Sequence, residues 1–383
     1  MITEIQQVPK TVFLVAGEAS GDLHGSNLIR DLKAHDPELL FLAMGGERMQ
    51  DAGAELVVNS QDLAFVGLGD VLKNIVKLRK IFHKVVHSIR ESKPDLVILI
   101  DYPGFNLRLA KKIKDLGIRV LYYISPQLWA WHQSRIRIIR NYIDHMAVIL
   151  PFEAAFYQQY GVPATFVGHP LLKTVKPSMT KTAARTYFAI DDDDIVIGLM
   201  PGSRRSEIRY LLPVMIEAAK IIQEHYINST FILPLAANLH EDDIKLYLEK
   251  AKVPIKIVKD HHYDAIQTCS AMIVASGTAT LEVAILGIPE VLIYKTSHFN
   301  YTLGKRLIKV PYLGLCNLIM GKEVIPELWQ HDVTPSAIAN KIKTILNNTS
   351  YREQMLADFH KVREMLDVHV DADISKVVLK LLS

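Results

Sequence analysis

Two glycine-containing loops carry the residues best suited to bind phosphate groups. Residues 201–204 read Pro-Gly-Ser-Arg, and residues 276–282 read Ser-Gly-Thr-Ala-Thr-Leu-Glu. Each loop follows an apolar run and precedes a segment with helical periodicity. Open α/β sheets bind ligands at the carboxyl ends of their strands, and the first turn of a helix exposes N–H groups that attract anions. The two loops together therefore predict a diphosphate site.

The side chains of these loops suit different parts of a nucleotide. Arg204 offers a permanent charge whose planar fork fits phosphate oxygens, Gly277 allows a close backbone approach, and Glu282 could reach a ribose diol. The expected nucleotide-binding residues here are Gly202, Ser203, Arg204, Ser276, Gly277, Thr278, Thr280 and Glu282. Alternatively, each loop is a tight strand-to-helix turn in which Ser and Thr act as helix caps.

Asp101 is the candidate for proton transfer, because it ends an apolar run at residues 96–100. If a sugar hydroxyl attacks an activated anomeric carbon, the reaction needs a general base, and a semi-buried Asp with a raised pKa would serve. His24 and His169 are alternative bases. A Pro and a Gly follow shortly after Asp101, so a turn or cap role for this Asp also stays open.

Two further loops could contact a sugar. Residues 17–22 read Gly-Glu-Ala-Ser-Gly-Asp, which lacks the spacing of a dinucleotide fingerprint, and residues 125–132 contain two indoles. Sugars and acyl chains both stack on indole rings, but each Trp could instead pack between the sheet and a helix. Likewise, Ser20 or Asp22 could instead cap a helix. The expected sugar-side residues are Ser20, Gly21, Asp22, Trp129, Trp131 and His169.

The segment 71–90 has the pattern of an amphipathic helix, with one apolar stripe and four lysines roughly opposite. Residues 64–69 before it are apolar and contain two glycines, which is unusual for a solvent-exposed loop. We expect the lysines to face an anionic membrane and the loop to receive acyl chains; a sheet-covering helix with a hydrated lysine face is the alternative. The expected membrane patch is Phe65, Val66, Leu68, Lys73, Lys77, Lys80 and Lys84.

Short apolar runs alternate with amphipathic segments in both halves of the chain. This rhythm predicts an α/β protein with two doubly wound, Rossmann-like parallel sheets that face each other across a cleft. A stretch rich in Lys, Thr and Ser at 173–185 reads as the linker. The expected strands are 12–16, 39–43, 96–100, 120–124 and 146–149 in the first half, and 195–200, 230–234, 255–258, 271–275 and 290–294 in the second.

Composition narrows the function classes. A length of 383 residues with 49% hydrophobic residues suggests two domains, and a net charge of +3 is too small to predict a nucleic-acid partner. Only Cys269 and Cys316 occur, without metal-ligand spacing, which is typical of a reducing compartment. The first ten residues lack signal-peptide features, and no apolar run reaches about 18 residues, so we expect a cytoplasmic location.

With these segments in order, the chain resembles the lipid-A-disaccharide synthases, a family of bacterial glycosyltransferases, along nearly its whole length. The stretches that carry the resemblance are 17–22, 101–106 (Asp-Tyr-Pro-Gly-Phe-Asn), 125–131, 168–170 (Gly-His-Pro), 201–208, 276–282 and 317–328. The resemblance implies a GT-B fold. Residues 1–175 would form the acceptor-binding domain and 176–354 the UDP-sugar-binding domain, with the C-terminal helix 355–383 packing back on the first.

The resemblance also implies a reaction. The donor UDP-2,3-diacylglucosamine would transfer its sugar, with inversion, to 2,3-diacylglucosamine 1-phosphate, which gives a β-1,6-linked disaccharide phosphate and UDP. The family's general base falls on Asp101 and its phosphate-binding arginine on Arg204. Asn317 and Glu327 lie in the family's late motif and are expected to contact the nucleotide or assist domain closure.

No cofactor and no metal are expected, because the UDP-sugar is a substrate and no Asp-x-Asp pair is suitably placed. The resemblance implies a peripheral protein on the cytoplasmic face of the inner membrane. A homodimer is one possible assembly. Two other functions remain as alternatives. A UDP-sugar epimerase of the same fold would isomerise its substrate without an acceptor, and a non-catalytic peripheral membrane protein would release no UDP.

Overall fold

The computed structural model describes residues 9–60, 71–131, 133–297, 301, 310–367 and 373–383, without the side chains of 71–75. The chain divides into two compact units. The first comprises Met1–Pro170 and Val368–Ser383, and the second comprises Leu171–Asp367.

The first unit is built on a parallel sheet whose strands are apolar and largely buried, as expected for a sheet covered by helices on both faces. Its strands are β1 (Thr11–Ala16), β2 (Leu40–Gly45), β3 (Glu55–Asn59), β4 (Leu96–Ile100), β5 (Arg119–Tyr123), β6 (His145–Val148) and β7 (Ala164–Phe166). Its first helices are α1 (Ala19–His35), α2 (Glu47–Asp51), α3 (Val71–Ser92), α4 (Pro103–Lys114), α5 (Ile136–Tyr142) and α6 (Glu153–Gln158).

The strand order of this sheet is β3-β2-β1-β4-β5-β6-β7, so the direction of winding reverses between β1 and β4. These two strands pair with Ala16 opposite Ile100, and they therefore end at the same level. The loops that begin at Gly17 and Asp101 thus emerge side by side, at the switch point where open α/β sheets bind ligands.

The second unit repeats this architecture. Its strands are β8 (Ile195–Met200), β9 (Ser229–Pro234), β10 (Ile255–Val258), β11 (Ala271–Ala275), β12 (Glu290–Tyr294) and β13 (Glu327–Trp329), in the parallel order β10-β9-β8-β11-β12-β13. Its helices are α7 (Leu171–Thr174), α8 (Lys181–Tyr187), α9 (Arg205–His225), α10 (Asp242–Leu248), α11 (His262–Ile266), α12 (Thr278–Ile285), α13 (Leu315–Met320), α14 (Pro335–Asn347) and α15 (Thr349–Leu366). The switch point lies between β8 and β11.

Two features differ from the sequence-based expectation. Part of the expected linker is helical, because α8 begins after Thr180, whose side chain accepts a hydrogen bond from the amide of Ala183 at 3.2 Å. The expected C-terminal helix is two helices: α15 belongs to the second unit, and α16 (Ile374–Leu382) to the first. On α16, Ile374, Val378 and Leu382 are buried in the first unit's core. Amphipathic periodicity predicts a buried face but not which core buries it.

Candidate active site

A pocket with a volume of about 570 Å³ opens in the second unit. Its walls come from segments at the carboxyl ends of four strands: residues 202–207 after β8, 234–236 at the end of β9, 262–266 after β10 and 275–282 around the end of β11. Because β8 and β11 flank the switch point, the pocket lies where this class of sheet binds its ligands. Both glycine-containing loops identified in the sequence line it.

The start of α12 supplies hydrogen-bond donors to this pocket. Gly277 has φ 153° and ψ −164°, a conformation available essentially only to glycine. A Cβ built on Gly277 would meet no atom within 4 Å, so its backbone faces open space. The N–H groups of Thr278 and Ala279 belong to the first helical turn, which has no intrahelical acceptors and carries the positive end of the helix dipole. An anion can therefore bind here.

Two residues of the same loop have structural roles instead. The N–H of Ser276 donates to the carbonyl of Ile293 at 3.0 Å, which fastens the loop to β12. Thr280 is fully buried, and its hydroxyl donates to the carbonyl of Gly277 at 2.9 Å. The expected participation of the Ser276 amide and of Thr280 in phosphate binding is thus corrected, although Ser276 still lines the pocket.

Arg204 lies at the N-terminus of α9 and its side chain is 71% exposed. Its Nη1 donates to Oε1 of Glu207 at 2.9 Å. The other oxygen of Glu207 accepts from the amides of Ser203, at 2.9 Å, and Arg204, at 3.2 Å, so this carboxylate holds the loop in shape. A guanidinium has five N–H donors, and Arg204 can bind an anion while it stays paired with Glu207.

Glu282 and Tyr263 form a hydrogen-bonded pair on the pocket wall. Burial raises the pKa of Glu282, and the bond from Tyr263 opposes that rise. Burial, followed by the charge of Glu282 and the bond to it, raises the pKa of Tyr263 to about 12. Sequence reasoning identified Glu282 but missed Tyr263, which precedes it by 19 positions and comes from another helix.

In the first unit, Asp101 follows β4 at the switch point. Burial, reinforced by the negative charge of Glu18 and opposed by a hydrogen bond from the backbone of Tyr102, raises the pKa of Asp101 to about 6. A carboxyl group with this pKa is mostly ionised at neutral pH and can accept a proton more readily than an ordinary Asp.

Asp101 and Tyr102 are also conformationally unusual. Both have φ 46°, in the left-handed region that non-glycine residues rarely adopt. Each such residue costs about 1–3 kcal/mol, and this kind of strain persists only where surrounding contacts enforce it. Sequence reasoning placed Asp101 at the end of a strand but had no signal for this backbone conformation.

Comparison with known proteins identifies the family. The family model described as lipid-A-disaccharide synthetase matches residues 12–378. The chain belongs to this family. It is 48% identical to the lipid-A-disaccharide synthase of Trichlorobacter lovleyi over 94% of each chain. It is 44% identical to that of Nitrosococcus oceani, covering 97% of this chain and 96% of the relative.

Solved structures with a similar fold include the UDP-GlcNAc 2-epimerase of Neisseria meningitidis bound to UDP-GlcNAc. It has a TM-score of 0.65 at 12% identity and covers 97% of this chain and 99% of the epimerase. The glycotransferase of kitacinnamycin has a TM-score of 0.62 at 12% identity and covers 98% and 100% of the two chains. These similarities show the GT-B fold, and family membership makes this chain a glycosyltransferase rather than an epimerase.

The late motif of this family member has a structural role. Asn317 is fully buried; its Nδ2 donates to Glu327 at 2.7 Å and its Oδ1 accepts from the amides of Val324 and Ile325. Glu327 also accepts from Trp329 Nε1 at 2.9 Å and from two backbone amides. Neither residue lines the pocket of the second unit. The expected nucleotide contact is therefore not seen in this pocket; both residues form a hydrogen-bond network that shapes the segment before β13, and their role in domain closure stays a prediction.

Asp22 is likewise a structural cap. Its Oδ1 accepts from the amides of Gly46, at 2.7 Å, and Met49, at 3.2 Å, and its Oδ2 accepts from the amide of Arg48 at 3.2 Å. These bonds cap the N-terminus of α2. Gly21 is buried against Ala16. Of the three sugar-side residues expected in this loop, Ser20 is the exposed one.

The two expected indoles separate in the same way. Trp129 is buried, and its Nε1 donates to Oε1 of Glu153 at 2.9 Å, whereas Trp131 is 48% exposed. Glu153 also accepts from Ser125 Oγ at 2.6 Å. Burial raises the pKa of Glu153, although these hydrogen bonds oppose the shift. Trp129 thus packs in the protein, and Trp131 remains the indole that a ligand can reach.

Of the two alternative bases, His169 is buried and His24 is half-buried. Burial lowers the pKa of His24, and burial together with the proximity of His24 lowers the pKa of His169 to about 4. His169 is 8% exposed. A His with such a low pKa is a weaker base at neutral pH than Asp101, whose pKa is about 6.

Part of the expected membrane patch is described. Phe65, Val66 and Leu68 lie outside the described residues, as does the side chain of Lys73. Lys77, Lys80 and Lys84 are exposed on α3. On the opposite stripe of that helix, Leu78, Phe82, Val85 and Ile89 pack in the first unit's core. Within the described residues, no helix is long and apolar enough to cross a membrane, and no cluster of three or more metal-ligating side chains occurs.

Proposed function

We propose that this chain transfers the sugar of UDP-2,3-diacylglucosamine to 2,3-diacylglucosamine 1-phosphate. The acceptor's 6-hydroxyl oxygen attacks the anomeric carbon, and the bond from that carbon to the diphosphate oxygen breaks. The products are a β-1,6-linked disaccharide 1-phosphate, with the anomeric configuration inverted, and UDP. The substrates are named from the family to which the chain belongs.

Asp101 accepts the proton of the 6-hydroxyl in this proposal. The support is its pKa of about 6, which leaves it ionised at neutral pH yet more basic than an ordinary Asp. A general base of this kind typically contributes about 10²- to 10⁴-fold to the rate.

The second unit binds UDP and stabilises it as it leaves. The single observation that carries the proposal is the presence in one pocket of Arg204, the first-turn amides of α12 and the Tyr263–Glu282 pair. The guanidinium and the helix dipole supply positive charge to the departing diphosphate, and Glu282 accepts from a ribose hydroxyl. Because these groups neutralise the leaving group, we propose that turnover needs no metal ion.

We also propose that the protein works on an anionic membrane surface. The exposed Lys77, Lys80 and Lys84 support this, because lysines near an anionic surface contribute about 1 kcal/mol each to binding. The acyl chains of both substrates would then stay in the lipid phase.

One assay tests the reaction. UDP release from the donor is measured with and without the monosaccharide phosphate acceptor, in the presence and absence of EDTA. Transfer predicts UDP release that depends on the acceptor and survives EDTA. Isomerisation of the donor without acceptor would contradict transfer, and loss of activity with EDTA that Mg²⁺ restores would contradict the metal-independent mechanism.

A further inference from the structure

The main chain of Asp101 is held by buried groups on two neighbouring elements. Its N–H donates to the carbonyl of Tyr123 on β5 at 3.0 Å. Its carbonyl accepts from the hydroxyl of Tyr122, also on β5, at 2.6 Å, and from Nδ2 of Asn106 on α4 at 2.7 Å. Nδ2 of Asn106 also donates to the carbonyl of Ile100 at 3.1 Å.

The two side-chain donors are unusual in their burial. Tyr122 and Asn106 are both 0% exposed. If one of these donors is removed, the carbonyl of Asp101 keeps only the other buried side-chain donor.

The left-handed turn is also fixed from the opposite side. A Cβ built on Gly17 would lie 2.4 Å from a ring carbon of Tyr102, so the ring occupies the space left by the missing side chain. The ring of Tyr102 also stacks on Phe105, with centroids 5.8 Å apart. The two consecutive residues with φ 46° are thus enclosed by contacts from the loop after β1, from β5 and from α4.

We propose that Tyr122 and Asn106 are positioning residues: their hydrogen bonds to the carbonyl of Asp101 hold the left-handed turn that orients its carboxyl group for proton transfer. If either bond is lost, the turn can relax toward ordinary backbone angles, and the Cα–Cβ bond of Asp101 changes direction. This inference rests on the proposed role of Asp101 as the general base. It adds two residues that touch no substrate.

Tyr122→Phe is the main test, because the Phe ring fills the same buried volume and only the hydroxyl is lost. We expect kcat to fall about 10- to 100-fold, as a displaced catalytic group does, with the KM for the UDP-sugar and the affinity for UDP within about twofold of wild type. The acidic limb of the pH profile should also move, because the surroundings of the carboxyl group change. Asn106→Ala should give the same pattern, and it provides the test if Tyr122→Phe does not fold.

Tyr157→Phe is the matched control. Tyr157 is also fully buried in the same core, and its hydroxyl donates to a main-chain carbonyl, that of Pro126, at 3.2 Å. We expect this variant to lose a similar amount of thermal stability and to keep its kcat and pH profile.

The double variant Tyr122→Phe with Asn106→Ala tests whether the two residues act together on Asp101 or whether each substitution causes an independent defect. Both donors act on one carbonyl, so the losses in kcat should be clearly less than multiplicative. Multiplicative losses would contradict a shared mechanism.

Asp101→Asn distinguishes failure of this inference from failure of the proposed base. If Asp101→Asn keeps normal kcat, the proposed function of Asp101 is wrong. If Asp101→Asn is inactive but folded Tyr122→Phe and Asn106→Ala both keep wild-type kcat and pH profile, the base stands and the positioning inference is overturned.

Discussion

Nη1 of Arg204 lies 2.9 Å from Oε1 of Glu207, and the second oxygen of that carboxylate holds the amides of the loop that carries the arginine. One acidic residue, three positions into the following helix, therefore both shapes the loop and orients its cation. The side chain of Arg204 remains 71% exposed, so the ion pair with Glu207 orients the guanidinium and still leaves it accessible to a ligand in the pocket.

Arg204→Ala should weaken UDP binding about 10- to 100-fold, because a charge-assisted hydrogen bond contributes about 1.5–3 kcal/mol. Isothermal titration calorimetry with UDP measures this directly. Arg205→Ala is the control, since the adjacent arginine pairs with Asp243 at 2.8 Å and does not line the pocket. Equal UDP affinity in the Arg204 variant and wild type would remove Arg204 from the binding site.

Asp101→Asn should lower kcat by about 10²- to 10⁴-fold and leave the affinity for UDP unchanged. In the wild type, kcat/KM should fall as the pH drops through about 6, where Asp101 becomes protonated and can no longer accept a proton. Asp95→Asn provides a matched control at the opposite end of β4, where the carboxylate accepts from the amide of Thr11 at 2.7 Å. An acidic limb near pH 4 would argue against Asp101.

Tyr263→Phe should raise the KM for the UDP-sugar about 3- to 10-fold, because Glu282 loses the hydrogen bond that orients its carboxylate, worth about 0.5–1.5 kcal/mol. Steady-state kinetics with saturating acceptor measure the change. Tyr226→Phe, which loses a bond of 2.8 Å to Asn347 outside the pocket, should keep the wild-type KM. If both variants behave alike, Tyr263 does not orient Glu282.

Glu290→Met should stabilise the protein at neutral pH by about 1–3 kcal/mol. Glu290 is fully buried, and neither of its carboxyl oxygens has a hydrogen-bond partner in the described part of the chain. Burial raises its pKa well above the ordinary value of 4.5. Above about pH 4.5 the unfolded state releases this proton while the folded state keeps it. The free energy of unfolding of the wild type therefore falls as the pH rises above about 4.5.

The measurement for Glu290 is thermal unfolding of wild type and variant at pH 4.5 and pH 8. The difference in stability between Glu290→Met and wild type should grow with pH. Glu290→Gln should likewise remove the pH dependence that Glu290 causes, with a smaller increase in stability. An advantage that is constant between the two pH values would show that packing, rather than ionisation, is responsible.

Replacing Lys77, Lys80 and Lys84 together by Glu should weaken binding to vesicles that contain anionic phospholipid. Rising salt concentration should also weaken the binding of the wild type. Vesicle co-sedimentation provides the readout. A triple variant with Arg108, Lys111 and Lys112 on α4 replaced by Glu carries the same change in net charge. Equal loss in both variants would indicate a general charge effect instead of a membrane-facing surface on α3.

Local sequence was sufficient for the central strands. The residues of β4, β8, β11 and β12 were predicted with their observed bounds, because each is a largely buried apolar run between polar segments. The bounds of β10, a half-buried strand at the edge of its sheet, were also predicted. The strands β3, β7 and β13 were missed. All three lie at sheet edges and are only partly buried, and β7 and β13 are three residues long, so their local apolar signal is weak.

The same division applies to the candidate site. The order of residue types placed Arg204, Gly277 and Glu282 in one pocket and Asp101 at a strand end, because strand-to-helix loops of parallel sheets gather at one edge. It could not separate Trp131 from Trp129, or Ser20 from Asp22, since exposure and capping depend on partners such as Glu153 and Gly46 elsewhere in the chain.

The amino-acid sequence by itself determined the alternating α/β pattern, the chemistry available at the strand ends and the resemblance to a family. Only the tertiary structure decided which polar groups are committed to the protein and which remain for a ligand. The physical reason is that a buried donor or acceptor without a partner costs free energy, so most such groups are paired within the protein. Asn317, Asp22 and Trp129 are satisfied internally by partners that no local pattern reveals, whereas Arg204 and the first turn of α12 keep donors facing the pocket.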